Sequence, residues 1–269
     1  SALQLEGSLY SSQRHRLFLG TGERAGFFIG DGAGVGKGRQ IAATIVENCA
    51  RGIFKHVWFS TSADLVVDAE RDLRGVGCYL PVINGCLELE KSAKSGLGGR
   101  SKSKGLLFCT YKMLTREARF QRLVSWLKEG HGDAEFEGCF FFDEAHRAKN
   151  AGGQGTDASS DAGSLVAKYV IEIQRLFPRA RIVYCSATGV SSVEHLVYAQ
   201  RLGLWGVGTS FPTFREFCES FAHRGIGHLE LLAMEMKATG MFVSRGLSWQ
   251  GADFENVDIE MDETFRARY

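Results

Sequence analysis

Proline is almost missing from this chain, with three residues in 269. So few rigid breaks exclude the Pro-rich composition of extended linkers and disordered tails. Charge of one sign is missing as well: 32 Lys and Arg stand against 31 Asp and Glu, for a formal net charge of +1. The chain therefore has no bulk attraction for nucleic acid or a membrane surface, and any basic groove must be local. No apolar run approaches the ~20 residues that a membrane span needs. The start, Ser1-Ala2-Leu3-Gln4, carries no signal-peptide pattern and is expected to lie inside a longer protein. The seven cysteines include no C-x-x-C and no metal-ligand spacing. Cys109, Cys139 and Cys185 sit in apolar runs, where a thiol behaves as a small hydrophobe. Reduced thiols of a soluble intracellular protein are the expectation.

What the chain does have is glycine, 33 residues of it, densest in Gly30-Asp31-Gly32-Ala33-Gly34-Val35-Gly36-Lys37-Gly38-Arg39. This stretch follows the apolar run 25–29 and opens into the helical pattern of 40–47, an order of strand, glycine loop and helix. Successive backbone N–H groups in such a loop point into one concavity, and the helix start adds its positive dipole end. Gly32, Ala33, Gly34, Val35, Gly36, Lys37, Gly38 and Arg39 are thus candidates to cradle phosphate, with Lys37 carrying a charge to the β- and γ-phosphates. A surface Lys at a helix start would oppose the dipole, which favours the functional reading. Arg39 has two equal readings, touching phosphate or leaving into solvent. Two positions depart from G-x-x-x-x-G-K-[ST]. Asp31 stands where the first Gly is usual, and Gly38 where a hydroxyl would reach a magnesium ion.

Around this loop the pattern predicts a helix over 3–19, strands at 55–60, 80–83, 105–110, 138–143 and 180–186, and helices over 63–74, 120–128 and 164–177. Residues 91–104 and 150–163 read as polar loops. From about 191 the pattern becomes helical, at 193–203, 213–223 and 228–239, and 254–260 alternates apolar and acidic residues like a strand leaving the domain. Strands that are apolar on both faces, alternating with helices, predict an α/β fold with a mostly parallel sheet between helical layers and its ligand site at the carboxyl ends of the strands. A single domain over 1–269 is expected, with 191–253 a mainly helical extension and 254–269 an exit.

Three more segments fall at such strand ends or upstream of the loop. Asp143-Glu144-Ala145-His146 follows the strand at 138–143. An Asp there can hold Mg²⁺, and the adjacent Glu144 can orient or deprotonate an attacking water. Ser186-Ala187-Thr188 follows the strand at 180–186, and Gln4 lies upstream, where its amide can bond an adenine edge. His146, Ser186 and Thr188 are candidates to couple a nucleotide site to a nucleic-acid face; for His146, a plain packed histidine is an equal alternative.

The order Gln, G-x-G-K, Asp-Glu-Ala-His, Ser-Ala-Thr resembles the first RecA-like lobe of superfamily 2 helicases and translocases, a three-layer P-loop NTPase domain. In that resemblance these are the Q motif and motifs I, II and III. Ser60, Thr61, Thr110 and Tyr111 sit where such lobes place nucleic-acid contacts. Phe28–Arg39, Asp68–Leu73, His146–Asn150, Arg201–Gly206 and Met234–Gly240 are more closely similar to the strawberry notch family, in which Gly38-Arg39 is the usual form. The resemblance implies an ATPase with ATP and Mg²⁺ as cofactors, nuclear and linked to transcription and chromatin. Implied partners are nucleic acid (DNA favoured over RNA), a second helicase lobe of the same chain, and transcription or chromatin proteins; no membrane is implied. The fragment alone is expected to turn over ATP poorly, because that family's second lobe completes the pocket. A rival reading is a catalytically weak scaffold acting as a coregulator, favoured by the missing hydroxyl and the neutral charge. A third is a nucleotide-gated binding module without translocation.

Overall fold

The computed structural model describes residues 1–85, 88, 104–129, 136–148, 158–187, 192–221, 226–247 and 255. Among them lies one seven-stranded sheet in the order β3-β4-β2-β5-β6-β1-β7, every pairing parallel. The strands are β1 (Phe27–Ile29), β2 (Lys55–Ser60), β3 (Val82–Asn84), β4 (Gly105–Thr110), β5 (Cys139–Asp143), β6 (Arg181–Cys185) and β7 (Phe242–Val243). The helices are α1 (Ala2–Arg14), α2 (Lys37–Ala50), α3 (Val66–Gly75), α4 (Tyr111–Leu114), α5 (Glu117–Lys128), α6 (Ala158–Leu176), α7 (Phe214–Phe221) and α8 (Ile226–Ala238).

Parallel pairing explains the central strands. With both faces covered, β2 and β6 are buried at every position, as are the first four residues of β5. One core is rich in aromatics: Phe142 stacks on Phe59 at 5.3 Å and on Tyr184 at 5.8 Å. The opposite core is built from Ile29, Ile41, Ile45, Trp58, Phe108 and Phe141, with Cys139 and Cys185 among them as buried apolar fillers.

Several boundaries differ from the sequence reading. The first helix ends at Arg14 rather than near residue 19, because the chain turns there to form a bridge between Phe18 and Arg24. The helix expected over 193–203 is two 3₁₀ turns, Val193–Leu196 and Gln200–Leu202. Arg201, in the second turn, is fully buried and donates to the carbonyls of Gln174, Phe177 and Pro178 at the end of α6 and of Arg24 ahead of β1. Its guanidinium thus satisfies the orphan carbonyls that a helix C-terminus leaves. The two-residue strand β7 was not expected, since nothing in so short a run signals a strand. Most of the loop 91–104, residues 150–157, Thr188 and nearly all of 254–260 lie outside the described residues; 158–163, expected as loop, are instead the first turns of α6, which starts upstream of the expected residue 164.

Candidate functional site

Register places the chemistry in one row. Ile29 pairs with Cys185, and Cys185 with Asp143. Phe59 pairs with Phe142, which sets Ser60 level with Asp143, and Ser60 in turn pairs with Thr110. All the strands run the same way, so the glycine loop after β1, Asp143-Glu144 after β5 and Ser186 after β6 emerge along one edge.

The glycine loop carries left-handed backbone at Gly34 (φ 83°) and Gly36 (φ 93°), conformations that a side chain would strain. A Cβ on Gly36 would also lie 2.3 Å from Nε2 of Gln4. Gln4 presses on the loop from α1. Its Nε2 donates to the Val35 carbonyl at 3.1 Å, and its Oε1 accepts from the Ser1 amino terminus at 3.3 Å. The amide expected to meet adenine thus lies against the loop backbone. Val35 is buried, whereas Ala33 and Gly34 are exposed. Lys37 opens α2, and its Nζ donates to the Asp31 carbonyl at 3.2 Å. Arg39 is half-buried and pairs with Asp72 at 3.2 Å, so in this structure it neither meets the loop nor runs free into solvent.

Asp31 gives the first misfit a physical reason. Its side chain is fully buried and turned away from the concavity, toward Arg245 after β7. The carboxylate accepts from the backbone N–H (2.9 Å), Nε (3.0 Å) and Nη2 (2.6 Å) of Arg245, and from Nε2 of Gln40 (2.7 Å). Arg245 reaches on to the Leu3 carbonyl at 2.5 Å and to Glu6 at 3.0 Å. One guanidinium therefore joins the loop, the segment after β7 and α1. Sequence reasoning missed Arg245, which lies 214 residues from its partner.

On the other side, the Asp143 carboxylate accepts from Ser60 Oγ at 3.2 Å and from the Glu144 N–H at 3.1 Å. Burial, and next the neighbouring Glu144 charge, raise its pKa, while the Ser60 bond and the Lys37 charge oppose the rise. Lys37 and Asp143 thus sit within electrostatic reach, as one metal–phosphate site requires. Glu144 is the one non-glycine residue with positive φ (50°) among the described residues, a strained conformation of the kind that collects at functional sites. His146 Nδ1 lies 3.2 Å from Glu144 Oε2 and 3.1 Å from Ser186 Oγ, joining the segments after β5 and β6.

Of the four candidate nucleic-acid residues, Ser60 is fully buried against Asp143, and Tyr111 is buried with its hydroxyl donating to the Asp143 carbonyl at 2.8 Å. Thr61 is exposed and Thr110 half-buried. The donor set suits Mg²⁺: carboxylate oxygens from Asp143 and Glu144 beside a backbone concavity. Among the described residues no group of three or more His, Cys, Asp or Glu could hold a metal. An ion would thus be held through Asp143 with phosphate and water oxygens, the usual mode for Mg²⁺.

The model of the family described as P-loop containing NTP hydrolase pore-1 matches residues 1–269. The chain belongs to that family. Its strawberry notch character runs along its whole length. It is 42% identical over 277 residues to "Protein strawberry notch homolog 2" of Mus musculus and 41% over 278 residues to "Protein strawberry notch" of Drosophila melanogaster. It is 43% identical over 280 residues to "Protein FORGETTER 1" of Arabidopsis thaliana. All of this chain is covered in each case, but only 19%, 16% and 20% of those relatives. Among solved structures, the Sulfolobus solfataricus SWI2/SNF2 ATPase core in complex with dsDNA matches with a TM-score of 0.59 at 19% identity. That match covers 90% of this chain and 43% of the other, and it is a likeness of fold. The chain therefore has the P-loop NTPase architecture that its motif order implied.

Proposed function

We propose that this region is the ATP-binding lobe of a helicase-like ATPase, in which Mg²⁺-dependent ATP hydrolysis drives movement on, or remodelling of, a nucleic-acid complex in transcriptional regulation. The observation that carries the reading is the register that sets the glycine loop with Lys37 and the Asp143-Glu144 pair at one edge of the sheet, Ile29 and Asp143 both pairing with Cys185. Lys37 binds the β- and γ-phosphates, the N–H groups of 32–39 surround them, and Asp143 orients the metal. Bound Mg²⁺ would neutralise charge developing on the phosphate oxygens. Glu144 holds or accepts the proton of the attacking water, and its contact with His146, which also meets Ser186, offers a route from the nucleotide to the next strand end. Exposed Thr61 and half-buried Thr110 are the candidate contacts to nucleic acid. The dsDNA bound to the Sulfolobus core supports DNA over RNA as the partner class. The same reading extends to a nuclear location, chromatin partners and a completing second lobe, which the strawberry notch resemblance implies.

The test is phosphate release by the full-length protein, wild type against Glu144→Gln. Loss of a positioned general base costs about 10²–10⁴-fold, so a fall of at least ~100-fold is expected. Equal release by both proteins would overturn the reading. It would leave the scaffold alternative, which the missing hydroxyl at Gly38 favours.

A further inference from the structure

The absent hydroxyl at residue 38 has a structural counterpart elsewhere. A Cβ on Gly38 would lie 2.2 Å from Oδ2 of Asp72 and 3.7 Å from Cη2 of Trp58. Asp72 is held in place by Arg39, at 3.2 Å. A Ser or Thr at residue 38 would therefore have to move the Asp72 carboxylate from its bond with Arg39. A hydroxyl reaches the metal carboxylate from a different strand instead. Ser60 closes β2, is fully buried, and stands level with Asp143 because Phe59 pairs with Phe142. Its Oγ donates to Asp143 Oδ2 at 3.2 Å, while Oδ1 accepts the Glu144 N–H at 3.1 Å. One bond at each oxygen fixes the carboxylate plane. Each oxygen keeps a second lone pair for a cation or its water.

We propose that Ser60 is the positioning residue that orients Asp143 toward Mg²⁺, fastening the metal carboxylate from β2 in a site that has no hydroxyl at residue 38. The role is indirect: Ser60 touches Asp143, and Asp143 meets the ion. Ser60 therefore belongs to the nucleotide site rather than to the nucleic-acid face, where its place in the motif order would have put it. The inference rests on the ATP-binding reading above.

The test measures the dissociation constant of a fluorescent ATP analogue for the full-length protein, with Mg²⁺ and with chelator, in wild type, Ser60→Ala and Ser60→Cys. The Cys variant keeps the buried volume but offers only a weak donor. Removing an outer partner of a metal ligand costs about 10–100-fold in metal affinity. Both variants should thus lose at least ~10-fold of the Mg²⁺-dependent tightening, with their metal-free affinity within about twofold of wild type. Full Mg²⁺ dependence in both variants would overturn the proposal. So would an equal loss with and without metal, which marks a general packing defect. A wild type that binds no nucleotide under either condition would overturn the ATP-binding reading itself, and the Ser60 inference with it.

Discussion

On the glycine-loop side of the site, one buried ion pair does the fastening. Asp31 is fully buried and takes three bonds from Arg245 and one from Gln40. On the Asp143 side the fastenings come from neutral groups: Ser60 Oγ to the carboxylate, Tyr111 hydroxyl to the Asp143 carbonyl, and the Ser186 hydroxyl against His146. The two sides should fail differently. An ion pair stripped of one partner strands a buried charge, whereas a lost hydroxyl leaves an acceptor with other bonds. Each departure from the usual phosphate-loop pattern is thus met by a distant residue. Arg245 meets Asp31, and Ser60 holds Asp143 in a site where Gly38 offers no hydroxyl.

Arg245→Ala probes that contrast hardest. It leaves the Asp31 carboxylate buried without its counter-charge, with only Gln40 and the backbone N–H of residue 245 as partners, and such removals cost about 3–5 kcal/mol. Urea unfolding at neutral pH should show a loss of that order. Asp31→Ala should cost less, because Arg245 keeps Glu6 and the Leu3 carbonyl and is partly exposed. Equal losses for the two variants would remove the asymmetry on which the comparison stands.

This is also where the sequence stopped being legible. The sheet could be read because β2, β5 and β6 each carry an apolar run (57–59, 139–142 and 182–185), and burial on both faces of a parallel sheet demands that. The glycine loop, Lys37 and Asp143-Glu144 could be read because phosphate chemistry imposes residue types at fixed local spacing. Arg245 could not, since a partner 214 residues away leaves no local trace. Ser60 was visible but read for another role. Only the register between β2 and β5, a property of the paired strands, turns its hydroxyl toward Asp143. The helix expected at 193–203 failed for a related reason. Apolar spacing there reflects packing around buried Arg201 and not one continuous helix.

A pH series asks whether the difference between the two sides extends into the sheet beneath them. Each side rests on a buried histidine. His15 donates Nε2–H to the Ile182 carbonyl at 3.1 Å, and its pKa is pushed down to about 3, first by burial and then by Arg181, Arg24 and Arg14. His56 donates Nε2–H to the Ile53 carbonyl and accepts the Cys139 N–H on Nδ1 at 3.2 Å; burial, with Arg181 adding, lowers its pKa to about 4. Below the unfolded value near 6.5 the unfolded chain binds protons that the folded chain refuses. The stability is present above pH ~6.5 and is lost as pH falls toward about 4, at about 1.4 kcal/mol per pH unit for each histidine. His56→Gln should remove its share of that slope between pH 6.5 and 4.5, leaving the His15 share. An unchanged slope would mean that His56 is not held neutral by the fold.

The smallest effect concerns Gly38. Replacing Gly by Ser inside a helix gains roughly 0.5 kcal/mol from propensity alone. Here the new Cβ would come within 2.2 Å of Asp72 Oδ2, the tip of a side chain that can swing aside by giving up its bond to Arg39. That pair is partly exposed and worth about 0–1 kcal/mol, so displacement is cheap. Gly38→Ser should therefore be neutral or destabilising by up to ~0.5 kcal/mol in the natural background. With Asp72→Ala it should stabilise by roughly 0.5 kcal/mol. The double-mutant cycle in urea reads the coupling between the two positions directly. A coupling near zero would mean that Asp72 does not exclude the side chain, and Gly38 would then lack a structural reason on either side of the site.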